Sequence, residues 1–316
     1  MDPSEKRFEI EHAISTYALS YIALPAAAIY EKARLEPLAD LIQKCHVYFI
    51  GLAPRVRAGS INQRGRVLHI PMSALGQRTV VEVGLADGVD FDSSNGLLIR
   101  QADGATHELD TLWLTSRLSD KMPLDFEVLY IGQAYGSDGG RNAIDRLIKH
   151  ETLQKIALNG VPEGWDLMLL LVEVLSDNRV MIVINPHAQT SDDDNARANA
   201  GMAKLIETPY HELVSLYEAA MIRYFRPRFN IAFKDSFPST NLKVLTDCYE
   251  KDFSGLVAEF VFDDFPWRLK SETVAPSFFH IAYHDLHTEQ ARTLFFNSDP
   301  SLGLDILRAP DSAPHT

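Results

Sequence analysis

Cysteine is nearly absent from this chain of 316 residues: Cys45 and Cys248 are the only two and lie far apart, so there is neither a disulfide framework nor a CxxC zinc pair. A reducing, cytoplasmic setting is the expectation. Positive charge is also in short supply. Forty-three acidic against thirty basic residues leave a formal net charge of -13, which argues against coating nucleic acid through bulk electrostatics and confines any acidic partner to a local basic site. No convincing leader or membrane span is found either. The stretch from Ala13 to Tyr30 carries no charge, but it is rich in Ala, Ser and Tyr, is interrupted by Pro25 and follows no positive segment. It reads as two packed helices broken near Pro25, and no membrane partner is expected.

What remains is an ordinary globular composition, 46% hydrophobic and 23% charged, over roughly two average domains' worth of chain. From His46 the period changes to short β-branched and aromatic runs: His46 to Ile50, Arg66 to Ile70, Thr79 to Val83 and Gly96 to Gln101. The Asp103-Gly104 pair predicts a hairpin joining Leu97–Gln101 to Glu108–Leu114. Within this β-rich region the charge balance reverses. Between Leu41 and Val81 there is no acid, yet Lys44, Arg55, Arg57, Arg64, Arg66 and Arg78 all fall there. Such a run is either a loop whose arginines pair with acids elsewhere or a surface that contacts phosphate. Arg55, Arg57, Arg64 and Arg66 are the candidate DNA-contacting residues in it.

Farther along, Phe126 to Ile131 reads as a strand, Gly136 to Gly140 as a loop and Asn142 to Leu158 as a helix. On that helix Arg146, Lys149 and His150 would share one face. Leu167–Val174 and Val180–Ile184 suggest a buried hairpin about Ser176-Asp177-Asn178, followed by an acidic loop at Asp192–Asp194. Thr208-Pro209 starts a helix that Pro227 stops, near Phe225. Nearly every face of this last helix is apolar, so it is largely buried, and Glu218 lies in one apolar stripe between Val214 and Ile222. A carboxylate so placed must be paired, protonated or metal-bound.

Leu129-Tyr130-Ile131-Gly132-Gln133-Ala134, then Arg146 with His150 four residues later, then Glu218 followed twelve residues on by Asn230, resembles the GIY-YIG nuclease superfamily over roughly residues 110–234. Order, spacing and placement on strand, first helix, buried helix and following turn together carry the resemblance. It implies a small sheet flanked by helices that hydrolyses DNA with one divalent metal, Mg2+ or Mn2+. Glu218 would be the metal ligand, and Arg146 would stabilise charge developing on the phosphate. Tyr130 would position or deprotonate the attacking water, His150 would stand near the nucleophile, and Asn230 would support the site by hydrogen bonding. Lys149, Arg226 and Arg228 would add DNA contacts around it. The family's first tyrosine, expected about ten residues before Tyr130, has no counterpart there. The best upstream strand is Thr111–Leu114, where Trp113 would stand in its place, leaving Tyr135 or His150 to take over part of the role.

The expected architecture is therefore α+β: N-terminal helices over 1–45, a β-rich module over 46–118, a GIY-YIG-like nuclease domain over 119–235 and a separate α+β region over 236–316. The expected activity is metal-dependent DNA endonuclease, with a lean towards restriction or phage defence because no helix-hairpin-helix or zinc-finger signature is present. The alternative is a catalytically degenerate DNA-binding or assembly subunit, motivated by the missing tyrosine. DNA and a second copy or partner protein are the expected partners. His280, His284 and His287 form a weaker zinc candidate, and His187 with Asp192–Asp194 is discounted as an exposed loop.

Overall fold

In the computed structural model the uncharged N-terminal run is a long strand, β1 (Ile10–Pro25), in place of the first expected helix, and after the expected break at Pro25 a single 3-10 turn over Ala26–Tyr30 in place of the second. An apolar run buried on both faces carries no period that separates strand from helix, and here pairing decides. Helices α1 (Lys32–Leu35) and α2 (Ala39–Lys44) follow and lead into β2 (Cys45–Pro54). Seven short strands come next: β3 (Arg57–Ala58), β4 (Asn62–Arg64), β5 (Val67–Ala74), β6 (Gln77–Gly84), β7 (Asp90–Asp92), β8 (Leu98–Arg100) and β9 (Thr106–Glu108). Helix α3 (Thr111–Ser119) precedes β10 (Asp125–Gln133), α4 (Ala143–Leu147), α5 (Glu151–Leu158), β11 (Trp165–Val174) and β12 (Arg179–Ile184). Two longer helices, α6 (Ala196–Glu207) and α7 (Tyr210–Phe225), are followed by α8 (Lys243–Glu250), β13 (Gly255–Val261), β14 (Arg268–Lys270) and β15 (Phe279–Asp285). The residues described are 3–92, 98–100, 103–109, 111–135, 143–175, 179–191, 195–238, 243–250, 252–287, 289 and 292. The expected Gly136–Gly140 loop and Asp192–Asp194 run lie outside them.

The molecule is mixed α/β, and its main sheet is far larger than the small one expected. Eight strands run in the order β14-β10-β2-β11-β1-β13-β15, with β12 also on β1. Strands from all four expected segments contribute, so the boundaries drawn at 45, 118 and 235 do not separate sheets. The tail is no separate unit: β14 pairs in parallel with β10 at one edge, while β13 and β15 extend the other. Between β2 and β10 the chain makes two small sheets, β3-β5-β4 with β6 on β5, and β7-β8-β9. Asp103-Gly104 does turn β8 into β9, with Gly104 at a φ of 86°, but Thr111–Leu114 is the first turn of α3 and not the hairpin's second strand.

Two further expectations change for physical reasons. The run Leu167–Ile184 does not fold back on itself, because β11 pairs antiparallel with Ala18–Pro25 and β12 continues along Ile10–Ser15 of the same strand. Sixteen residues of β1 are long enough to take both partners end to end. Nor is β12 buried, with Ile182 43% and Ile184 63% exposed. The helix expected over 142–158 breaks at Lys149-His150, where His150 is extended and caps α5. A straight helix would set Glu151 and Gln154 below Leu147; the break turns α5 so that Leu153 and Ile156 join Leu147 in one core.

That core, with α2, α4 and α5, covers one face of β2, β10 and β11; α7 covers the other through Val214, Ala220, Met221 and Phe225. Neighbouring Leu169 and Leu170 serve opposite cores, as the two-residue period of a strand demands. A largely buried ion network ties β1 to α6 and to the segments around Asp252 and Arg292. Glu11, 4% exposed, accepts from Arg197 Nη2 and Arg292 Nε, each at 2.9 Å, and both arginines also reach Asp252. Replacing Glu11 by Gln strips the shared carboxylate from two largely buried guanidinium groups and is expected to cost about 3–5 kcal/mol, read as a fall in midpoint by chemical denaturation. A change within error would mean that the network carries no net stability.

Candidate active site

The antiparallel pairing of β2 with β10 sets Tyr48 opposite Gly132 and Tyr130 opposite Ile50. Both phenols turn to the same side, with ring centroids 6.3 Å apart and planes 27° from parallel. Gly132 is what lets them do so. A Cβ there would come 2.6 Å from Tyr48 Oη and 2.8 Å from Tyr130 Cε1, closer than any side chain tolerates. Tyr48 is the residue that the sequence reading missed. It occupies the neighbouring strand beside Tyr130, the place where Trp113 was sought, and Trp113 is in α3. Its own strand was legible, but with residues 55–124 inserted between β2 and β10 nothing in the chain announces that they pair.

Arg146 stands at the end of α4 and donates from Nε to Tyr48 Oη at 3.4 Å. Tyr48 is in turn hydrogen-bonded with Tyr130, which favours the ionised form of Tyr130. Burial raises the pKa of both phenols, and the Glu218 carboxylate raises it further, while the Arg146 charge pulls it down. His150 completes the cluster, its ring edge-on to Tyr130 at 5.0 Å and to Tyr48 at 5.6 Å. Its Nδ1 accepts the Leu153 backbone N–H at 3.2 Å, the capping bond of α5. Burial and the Arg146 charge lower its pKa, so the ring is neutral with its proton on Nε2, which makes it a hydrogen-bond donor towards the site.

Glu218 comes from the middle of α7, is 8% exposed and accepts the Gln133 backbone N–H at the end of β10. Burial is the main influence and pushes its pKa from 4.5 up to about 8; Arg146 and the backbone bond oppose this without cancelling it. The salt bridge that would make Glu218 merely structural is not formed among the described residues. Asn230 works on the backbone. Its Oδ1 accepts from Ile131 N at 2.9 Å and its Nδ2 donates to Ile131 O at 2.8 Å. Because β14 covers only Asp125–Glu127, the Asn230 amide and the Phe229 N–H to Leu129 O bond supply the missing edge of β10.

The remaining candidates divide. Tyr135 is outside the cluster, held among His46, Tyr210 and His211. Lys149 is exposed at the helix break, and Arg228 is exposed over the Phe229 ring, whereas Arg226 is engaged by Lys234 O and Asp235. In the acid-free region Arg55 is held by Asp166 at 2.7 Å and by Trp165 O, and Arg66 by Leu85 O, Ala86 O and Asp87. Arg57 and Arg64 are exposed. The zinc candidate is not assembled among the described residues: His280 faces Leu269 O, Ser277 O and Tyr224, His284 faces Ala220 O, and no group of three or more His, Cys, Asp or Glu side chains converges, while burial pushes both imidazoles down to about 4. They are neutral framework groups.

Against protein-family models, curated proteins and solved structures the chain finds no match. Two outcomes follow from the geometry. The folded pKa of Glu218 is raised, so its contribution to stability is whole below about pH 4.5 and is lost as pH climbs to about 8. Glu218→Gln should therefore match wild type near pH 4.5 and exceed it by about 3–5 kcal/mol above pH 8, measured by denaturant titration at several pH values. Parallel pH curves for the two proteins would mean that a neighbour neutralises the carboxylate. Asn230→Ala leaves the buried N–H and C=O of Ile131 without partners and should cost about 2–3 kcal/mol by the same measurement, against which an unchanged midpoint would count.

Proposed function

We propose that this protein is a divalent-metal-dependent DNA endonuclease with a GIY-YIG-type site built from Tyr48, Tyr130, Arg146, His150 and Glu218. The observation that carries the reading is Tyr48: a second tyrosine, on the strand next to Tyr130, hydrogen-bonded between it and Arg146. A degenerate, non-catalytic subunit was motivated by the missing tyrosine, and Tyr48 beside Tyr130 supports the catalytic reading over it.

A single buried carboxylate with no ion-pair partner among the described residues suits Mg2+ or Mn2+, which bind through one or two carboxylates and keep other positions for water and phosphate. Among the described residues no cluster of three or more His, Cys, Asp or Glu side chains converges, so Glu218 would hold the ion alone, with water and substrate oxygens completing its shell. Bound there, the cation would polarise the scissile phosphate and the attacking water. A cation held by Glu218 in place of its proton would set positive charge near Tyr130, and the hydrogen bond from Tyr48 favours the Tyr130 phenolate. Tyr130 then takes the proton from water, while Tyr48 passes the influence of Arg146 to it. The exposed face of the Arg146 guanidinium meets the phosphate oxygens as their charge grows. His150, its Nδ1 committed to α5, offers only Nε2–H and so donates to an oxyanion instead of acting as the base.

Plasmid nicking with Mg2+ or Mn2+ tests the reading. Wild type should cut, Glu218→Gln should be inert, Tyr48→Phe and Arg146→Ala should lose on the order of 100-fold or more, and Trp113→Phe should be unaffected. A wild-type protein that leaves circular, linear, branched and single-stranded DNA intact with either metal would sink it. So would cleavage that survives Glu218→Gln.

A further inference from the structure

Strand register sorts the acid-free region by face. In the sheet between β2 and β10, Arg57 of β3 and Arg78 of β6 both pair with Ser73 of β5, from opposite edges, so the three side chains form one row. Six residues along β5, Arg64 of β4 pairs with Val67. Residues directly opposite in antiparallel strands share a face, and burial identifies it. Leu68, Ile70, Met72 and Ala74 of β5 point inward with Val81, whereas Arg57, Arg64, Pro71, Arg78 and Val80 are exposed. The inward face joins the main core, so the outer face is held in a fixed relation to the large sheet.

The outer face therefore carries three guanidinium groups over a patch roughly 10 Å across two strand spacings and roughly 20 Å along β5. Twenty ångströms is about six base-pair steps along one DNA strand. Glu82 is the one carboxylate on this face of the paired strands, and His69 faces it at 3.2 Å. Asp87, just beyond, is held by Arg66. Arg55 and Arg66, the other two arginines of the region, are occupied by the protein itself, whereas no ion pair is found for Arg57, Arg64 or Arg78 among the described residues.

We infer that this outer sheet face is a docking surface for duplex DNA, gripping its phosphate backbone through Arg57, Arg64 and Arg78, with Arg55 and Arg66 serving the fold. In a chain of net charge -13 this is a confined patch of one sign, complementary to a polyanion and able to hold it without general stickiness. The inference deepens the endonuclease reading, on which the choice of DNA rests, by naming the surface that holds the duplex away from the cutting site. Phosphate contacts supply position and affinity but no base preference, so the surface orients DNA without reading its sequence.

Binding of a fluorescent 20-base-pair duplex, measured by anisotropy in EDTA across a salt series, separates binding from cleavage. Each lost phosphate contact lowers the slope of log K against log salt by about 0.9, so Arg57→Ala/Arg64→Ala/Arg78→Ala should lower it by about 2–3 and weaken binding at low salt by tenfold or more. The Lys triple variant at the same positions should keep the slope, and Arg66→Ala should leave it unchanged. Thermal melting reports whether each variant is folded, and Arg57→Gln/Arg64→Gln/Arg78→Gln, which removes the same charges with longer side chains, carries the test through the same fall in slope if the Ala variant is not. No duplex binding at low salt, an unchanged slope in the Ala variant, or a loss of binding to anionic vesicles in place of DNA would overturn the surface. The two readings fail separately: arginine-dependent binding without cleavage defeats the endonuclease and leaves the surface, and cleavage with an unaltered slope does the reverse.

Discussion

The candidate site depends on one contact between strands that the chain keeps far apart. Antiparallel pairing of β2 with β10 brings the Tyr48 phenol over Gly132, and only a residue without a Cβ leaves room for it. Everything else in the site takes its position from that pair. Arg146 hydrogen-bonds to Tyr48, His150 lies edge-on to both rings, and the end of β10 presents the Gln133 N–H to Glu218. Asn230 keeps β10 in place by acting as a substitute strand at its edge. The inserted sheets between β2 and β10 leave this register undisturbed because they leave and rejoin the large sheet at its strand ends.

Glu218 is the costly element. Burial alone would protonate it, and the nearest cation, Arg146, is engaged by a phenol and does not form an ion pair with it. A carboxyl group in that condition is poorly suited to holding a fold together, since an apolar side chain of similar size would do so better. It is well suited to exchanging its proton for a metal ion. In the proposed reading, a cation taken up in place of that proton would also set positive charge near Tyr130 and ease its ionisation.

Legibility varied with how local the deciding interaction was. Helix α7 was read nearly to the residue, because Pro209 starts it, Pro227 ends it and its apolar faces are internal to sixteen residues. Strands β2 and β10 were read for the same reason. The charge-free stretch became β1 up to Pro25 because three partner strands pair with it, and nothing within Ala13–Pro25 says so. The break at His150 was hidden since its cause lies in which core Leu153 and Ile156 reach, and the tail looked independent because β14 and β13 join opposite edges of a sheet made earlier in the chain.

By itself the sequence determined the ingredients: a buried carboxylate on an apolar helix, an arginine and histidine after a Tyr-Ile-Gly strand, an asparagine past a proline, and a stretch free of acids in an acidic chain. These are properties of residue type and spacing within a single element, where side-chain direction follows from backbone period alone. Tertiary structure decided the partners: that Tyr48 completes the pair with Tyr130, that Arg55 and Arg66 are held by the protein's own oxygens, and that Arg57, Arg64 and Arg78 share one open face. Strand pairing is a contact between segments of any separation, and a chain read in order carries no mark of it until the backbone hydrogen bonds are made.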